Sequence, residues 1–411
     1  MQPYPNFFTQ NARQSRRHAI ESFGDPKIPR SGTGMETIEN TLAKRKAAAE
    51  FGNEDSPTFW RSARGFVRRH RIKTKLAKMT SITVFNNKGG VGKTTLLCNL
   101  ASYLAQQKGK RVLIVDADPQ CNATIYLFPE ERVVEIYEGK HGSINDLLNP
   151  LAKGKGYYSG KLPILRSSTF KVDLIPGDPK LALQEDLLAA DWQQAQGGDA
   201  RGLQTTLVFS ELLQRCESYD FVFFDLGPSL GAINRSVLLA CDFFTIPMSS
   251  DIFSLQAIEN ISVSLVRWKD GLEAGLSAHK KKNDEQFKVN DRQVSWELKF
   301  LGYVTQQYIA KTVRGVRQPV QAYDKIIQRI PKTIKSRLID QFSNNPNVKY
   351  ELGQIPNLHS LIPLSQNAHV PIFRLSGKDG VVGAHFAKVA ESAEIFGRVA
   401  ESFLQNLNQI Q

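Results

Sequence analysis

Short unbroken apolar runs alternate along most of this chain with stretches whose apolar residues recur at helical spacing. Ser81 to Phe85 is a β-branched and aromatic run that predicts a strand, and Leu96 to Leu104 then carries a helical pattern. Arg111 to Asp118 (RVLIVDAD) contains the continuous apolar run Val112 to Val115, which suits a parallel strand buried on both faces. Tyr219 to Ser229 (YDFVFFDLGPS) repeats that design, with its strand ending at Asp225. Asp242 to Pro247 leads into a helix from Ile252, Leu298 to Val304 adds a further strand, and Ala384 to Leu407 forms the last helix. Strands alternating with helices over residues 81–408 predict an α/β fold, a doubly wound and mostly parallel sheet. Ala274 to Trp296, which contains HKKKNDEQ, reads as a polar surface insertion.

Residues 1–80 break the pattern and predict a basic helical N-terminal extension. Asn11 to Phe23, Glu36 to Phe51 and Pro57 to Met79 read as helices, with Gly and Pro clustered between the first two. This segment holds 16 Lys and Arg against 7 Asp and Glu. In its third helix Arg61, Arg64, Arg68, Arg71, Lys75 and Lys78 fall on one face, with Phe59, Trp60, Phe66 and Val67 roughly opposite. No acid stands between Ser56 and Thr80.

Charge changes the picture of partners. The net charge of +13 favours a polyanionic partner such as nucleic acid or an acidic membrane. The four cysteines (Cys98, Cys121, Cys216, Cys241) lack any paired spacing, which argues against a disulfide framework or zinc site and fits a reducing cytoplasm. No apolar run approaches the roughly 20 residues needed to span a bilayer.

Candidate chemistry gathers where the predicted strands end. Between the first strand and helix stand Gly89, Gly90, Val91, Gly92, Lys93, Thr94 and Thr95. Glycines there let backbone N–H groups approach an anion, and the helix N-terminus adds partial positive charge. Lys93 can reach the β- and γ-phosphates of a nucleotide, and the Thr94 hydroxyl suits Mg²⁺. A loop needs one lysine for its own phosphates, so Lys88 is a second cation available elsewhere, for example to a nucleotide on a facing subunit. Asp116 and Asp118 end one strand and Asp225 another, where carboxylates can hold a metal's water shell or polarise an attacking water. The N–H of Gly227 is placed to sense a γ-phosphate.

Taken together, KGGVGKTT with Lys88, VDADPQCNAT and YDFVFFDLGPS resemble the ParA family of partition ATPases, the deviant Walker A group that also contains MinD. The likeness continues in SINDLL (Ser143 to Leu148) and VDLIPGDPKLALQEDLL (Val172 to Leu188). It departs at Cys121, where a glycine is usual, and at TQQY after the late strand, where a methionine–aspartate pair is frequent. The resemblance implies ATP and Mg²⁺ as ligands. Lys93 and the backbone from Gly89 to Thr95 would bind phosphates, and Thr94 would ligate the metal, with Asp116 and Asp225 holding its waters. Asp118 would activate the hydrolytic water, Lys88 would reach the partner's ATP in a sandwich dimer, and Pro363 would lie near the adenine.

Between Ala310 and Leu338 stand Arg314, Arg317, Lys332, Lys335 and four further basic residues against Asp324 alone, a pattern read here as scattered over helices and suited to phosphate contacts. The last helix carries Glu391, Glu394 and Glu401 against Lys388 and Arg398, which argues against a membrane-binding tail. The expected function is an ATP-dependent homodimeric switch, cytoplasmic and nucleoid-associated. It would bind duplex DNA non-specifically and partition DNA or another cargo. Its slow hydrolysis would be stimulated by a small basic DNA-binding protein. The alternatives are an ATP-regulated, sequence-specific repressor using residues 1–80, and a related ATPase that positions a non-DNA complex or serves a mobile-element or defence system.

Overall fold

In the computed structural model the described residues are 79–249, 251–308, 310–313, 316–319, 329–343 and 345–410. The expected helices of residues 1–78, with Arg61, Arg64, Arg68 and Arg71, lie outside them, as does Arg314.

The chain enters through β1 (Thr80–Val84) and, after the glycine loop, α1 (Lys93–Lys108). Next come β2 (Val112–Asp116), α2 (Asn122–Leu127), α3 (Glu130–Tyr137) and α4 (Asn145–Ala152). A hairpin of β3 (Leu165–Ser167) and β4 (Val172–Ile175) precedes three helices, α5 (Glu185–Gln196), α6 (Ala200–Thr206) and α7 (Val208–Gln214). Then follow β5 (Phe221–Asp225), α8 (Ala232–Leu238), β6 (Phe243–Ser249) and the long α9 (Ile252–Asn283). A two-stranded ribbon, β7 (Lys288–Val289) and β8 (Arg292–Gln293), leads to β9 (Lys299–Tyr308). A second ribbon, β10 (Ala310–Val313) and β11 (Val316–Pro319), precedes α10 (residues 329–342). The chain closes with β12 (Glu351–Pro356), α11 (Leu361–Ala368) and α12 (His385–Ile410).

Eight strands form one sheet in the order β12-β9-β6-β1-β5-β2-β4-β3, parallel throughout except that β3 pairs antiparallel with β4. The expected doubly wound α/β fold is therefore observed. Strands β1, β2 and β5 are buried at every position, which is why they read as unbroken apolar runs rather than alternating ones. Successive residues of β5 serve opposite layers. Phe224 meets Phe209 of α7 edge-on, while Phe223 stacks on Phe403 of α12 with ring centroids 5.8 Å apart. α5 lies so close to α9 that a Cβ at Gly275 would collide with the Ala195 carbonyl oxygen.

Two expectations need correction. The segment Ala274 to Trp296 is not simply a polar insertion, because α9 continues through Asn283, His279 is buried and Val289 is fully buried. The basic stretch from Ala310 is not helical throughout: Lys311 lies on β10 and Arg317 on β11, with Val313 opposite Val316. A three-residue basic spacing mimics a helix, but Thr312, Val313 and Val316 are β-branched and favour the ribbon. Lys332 and Lys335 do lie on α10 and are exposed.

Phe403 has no solvent exposure, whereas Phe386, near the start of the same helix, is 51% exposed. Phe403→Ala is therefore expected to lower unfolding free energy by about 3–5 kcal/mol, and Phe386→Ala by no more than about 0.5 kcal/mol, in urea titrations. Equal losses would mean that α12 does not pack on β5 as described.

Candidate functional site

The loop after β1 is shaped by two left-handed glycines, Gly90 (φ 71°) and Gly92 (φ 74°), the latter capping α1. Side chains there would be strained, so the loop can turn its N–H groups inward only with glycine at these positions. Behind it stands a residue that sequence reasoning passed over. Gln306, buried at the end of β9, donates from Nε2 to the Gly92 carbonyl at 3.3 Å, and a Cβ on Gly92 would meet its Oε1 at 2.6 Å. Asn86 fixes the loop's entry, accepting from Lys88 N and donating to the Pro247 carbonyl.

Lys93 is buried at the start of α1, its Nζ donating to the Lys88 carbonyl at 3.2 Å. Burial lowers its pKa, opposed by the charges of Asp225 and Asp118. Thr94 donates from Oγ1 to Asp225 Oδ2 at 2.7 Å, so the second strand-end carboxylate is tied to the loop. The other oxygen of Asp225, Oδ1, is buried without a hydrogen-bond partner. Burial, reinforced by the nearby Asp116, raises the Asp225 pKa well above the carboxylate range. Asp116 is fully buried and accepts from Thr124 N at 2.8 Å and Oγ1 at 2.6 Å, while Thr124 Oγ1 accepts from Gly177 N. Burial pushes Asp116 up to about 7, although the Thr124 hydrogen bonds oppose the shift. Asp118 accepts from Gln120 N, and Gly227 lies so close that its Cβ would sit 3.1 Å from Asp118 Oδ1. Asn234 pins that second loop by donating to the Gly227 and Ser229 carbonyls, both at 2.8 Å.

A cavity of about 1050 Å³ opens over these groups. Gly89 to Thr95 and Asp118 line it on one side, and Tyr126, Phe128, Gln366, Asn367 and His369 on another. The expected loop and Asp118 are thus brought together, with Asp116 and Asp225 buried close by. Pro363 is exposed on the first turn of α11 and is not among the lining residues, which come from the other end of that helix. Lys88 does not line the cavity either. Its ammonium pairs with Asp251, which caps α9 by accepting from Ser254 N. The capping role of Asp251 is legible from an Asp preceding an apolar helical pattern; its ion pair with Lys88, 163 residues away, is not.

Known proteins match this architecture. A family model described as an AAA domain matches residues 79–277. The chromosome-partitioning ATPase Soj of Thermus thermophilus is 32% identical over 49% of this chain and 67% of its own length. The chain belongs to the ParA family of partition ATPases. A probable plasmid-partitioning ParA of the same organism is 31% identical over 46% of this chain, but the match spans only 51% of that relative. Among solved structures, protein DIP2308 of Corynebacterium diphtheriae superposes with a TM-score of 0.59 at 32% identity, covering 71% of this chain and 97% of that one. The ParA-family motifs read from the sequence coincide with the loop, the two strand-end acid positions and Gly227 described above. Among the described residues, no helix is long and apolar enough to cross a membrane.

The buried acids make the metal-free site pH-sensitive. Asp116 has its folded pKa near 7, above its unfolded value, so the folded state holds a proton that the unfolded state releases. That stabilisation is present at low pH and is lost as pH rises from about 4 through 7; the raised Asp225 acts in the same direction. In the presence of a chelator, the urea midpoint is expected to fall across this window, and Asp225→Asn is expected to flatten the decline. A midpoint that declines identically in the variant would contradict the role given to this carboxylate.

Proposed function

We propose that this chain is an ATP-hydrolysing dimeric switch that holds DNA non-specifically in its ATP state and so partitions DNA or another cargo. The observation that carries the reading is one arrangement. A glycine loop with left-handed Gly90 and Gly92 stands beside a buried Lys93, over a Thr94–Asp225 pair whose second carboxylate oxygen is unpartnered. A buried orphaned oxygen next to a hydroxyl suits the water shell of a small hard cation, so the residues fit Mg²⁺. When bound, Mg²⁺ would neutralise charge on the β- and γ-phosphate oxygens. Thr94 would hold the metal, and Asp116 and Asp225 would accept from its waters.

The chain's own groups supply the rest. Lys93 and the loop N–H groups bind the phosphates, and Asp118, which lines the cavity, orients the attacking water and accepts its proton. Gly227, held against Asp118, gives the second loop a backbone donor that can answer to the γ-phosphate. Lys88 serves the facing subunit's nucleotide. In the single chain it is paired with Asp251, so dimerisation exchanges one anion for another. The turnover is slow and depends on a small basic DNA-binding protein, so the chain acts as a timer. Exposed Lys332 and Lys335 on α10, with Arg314 and Arg317 from the preceding stretch, contact DNA phosphates. The basic residues of the N-terminal extension, Arg61, Arg64, Arg68 and Arg71 among them, supply a second contact to DNA. The protein works in the cytoplasm, on the nucleoid.

The test pairs two substitutions and two readouts. Lys93→Ala is expected to abolish ATP binding and, with it, ATP-dependent retention on any duplex. Asp118→Ala is expected to bind ATP, to hydrolyse it at least about 100-fold more slowly, and to stay on DNA. Normal hydrolysis by the Asp118 variant, or footprinting confined to a single operator, would overturn the reading.

A further inference from the structure

The wall of the cavity that the phosphate loop does not form contains an unusual residue. His369 caps α11 in the left-handed conformation (φ 51°, ψ 45°), its backbone N–H donating to the Gln366 carbonyl. Glycine is the usual occupant of such a cap, because a Cβ is strained against the backbone there. Strain kept at a cavity wall calls for a use of the side chain.

The imidazole is anchored. Its Nδ1 lies 3.3 Å from the Tyr126 carbonyl oxygen, which can only accept, so Nδ1 carries the proton. In the neutral ring Nε2 is then a hydrogen-bond acceptor, and it has no partner among the described residues. The anchor is itself fixed. Tyr126 Oη meets Asn99 Nδ2 at 3.0 Å and Ser365 Oγ at 2.5 Å, and Asn99 Oδ1 accepts from Ile372 N. Asn99 belongs to α1, so the position of His369 is tied to the helix that the phosphate loop opens.

We propose that His369 reads the base of the bound nucleotide, its Nε2 accepting from the 6-amino group of adenine, and thereby selects ATP over GTP. The proposal rests on the nucleotide-binding reading above. Guanine carries a carbonyl at position 6, which would set two acceptors against each other. The neighbouring Gln366 and Asn367 each carry both a donor and an acceptor, so they can serve either base; the imidazole with its fixed tautomer cannot.

The experiment measures equilibrium binding of three Mg²⁺-nucleotides to the full chain: ATP, GTP and purine riboside triphosphate, which lacks the 6-amino group. The wild type is expected to bind ATP about tenfold or more tighter than the other two, the size of one well-placed hydrogen bond. His369→Gly removes the ring and suits the left-handed backbone, so its melting temperature should not fall. It is expected to bind ATP about tenfold more weakly and the other two within about twofold of wild type. His369→Asn, which also tolerates the conformation, carries both a donor and an acceptor and should therefore lose the preference for ATP over the other two. If His369 is only a helix cap, both variants keep the full preference for ATP and the proposal is overturned. Equal wild-type affinity for ATP and the 6-unsubstituted analogue would overturn it as well, leaving the ATPase reading intact. Failure of the wild type to bind any of the three would overturn both.

Discussion

A single lysine ammonium, buried near several carboxylates, is the constraint around which this structure is built. Lys93 pays a desolvation cost that the Asp225 and Asp118 charges offset in part, and it sits where the central parallel strands deliver their C-terminal ends. One ammonium faces three carboxylates, Asp116, Asp118 and Asp225, so negative charge is in excess at the site. Burial raises the pKa of both Asp116 and Asp225, reinforced at Asp116 by the charge of Asp118 and at Asp225 by that of Asp116. The fold tolerates this through hydrogen bonds: Thr124 to Asp116, Thr94 to Asp225, and Gly177 to Thr124. A site held in this way gains from a phosphate–metal complex, which supplies anions for the lysine and a cation for the acids. That gain is the physical basis for reading the arrangement as a nucleotide switch.

Much of this was legible in the chain itself. Strands buried on both faces leave unbroken apolar runs, so VLIVD and FVFFD mark both their own positions and the acids at their ends. Glycines that need positive φ announce the loop, because no other residue adopts that geometry cheaply. The contacts that escaped are those made by ordinary polar residues across long separations. Gln306 reaches Gly92 from another strand, and its place at the end of a late strand carries no local signature. The basic ribbon of β10 and β11 escaped because basic residues three apart in sequence mimic the spacing of one helix face. Cys121 fills a left-handed position (φ 56°) where family members usually carry glycine; its buried thiol, raised to about 12 chiefly by burial, serves packing rather than reactivity.

The pair of Lys88 with Asp251 joins the site to the proposed dimer. Both side chains are roughly a third exposed, so the bond itself is worth little in stability and is easily exchanged. It nonetheless keeps the second lysine off the chain's own cavity and gives α9, through its cap, a link to the loop. On this account nucleotide binding alone does not complete the switch. A second copy must offer its own phosphates as the better anion for Lys88.

Sedimentation of the full chain measures this directly. With Mg²⁺ and ATP the wild type is expected to form dimers, and with ADP to remain monomeric. Asp251→Asn, which weakens the competing anion, is expected to dimerise at a several-fold lower protein concentration, and Lys88→Ala to stay monomeric although it binds ATP. Dimers of Lys88→Ala that form with ATP as readily as those of the wild type would contradict the account.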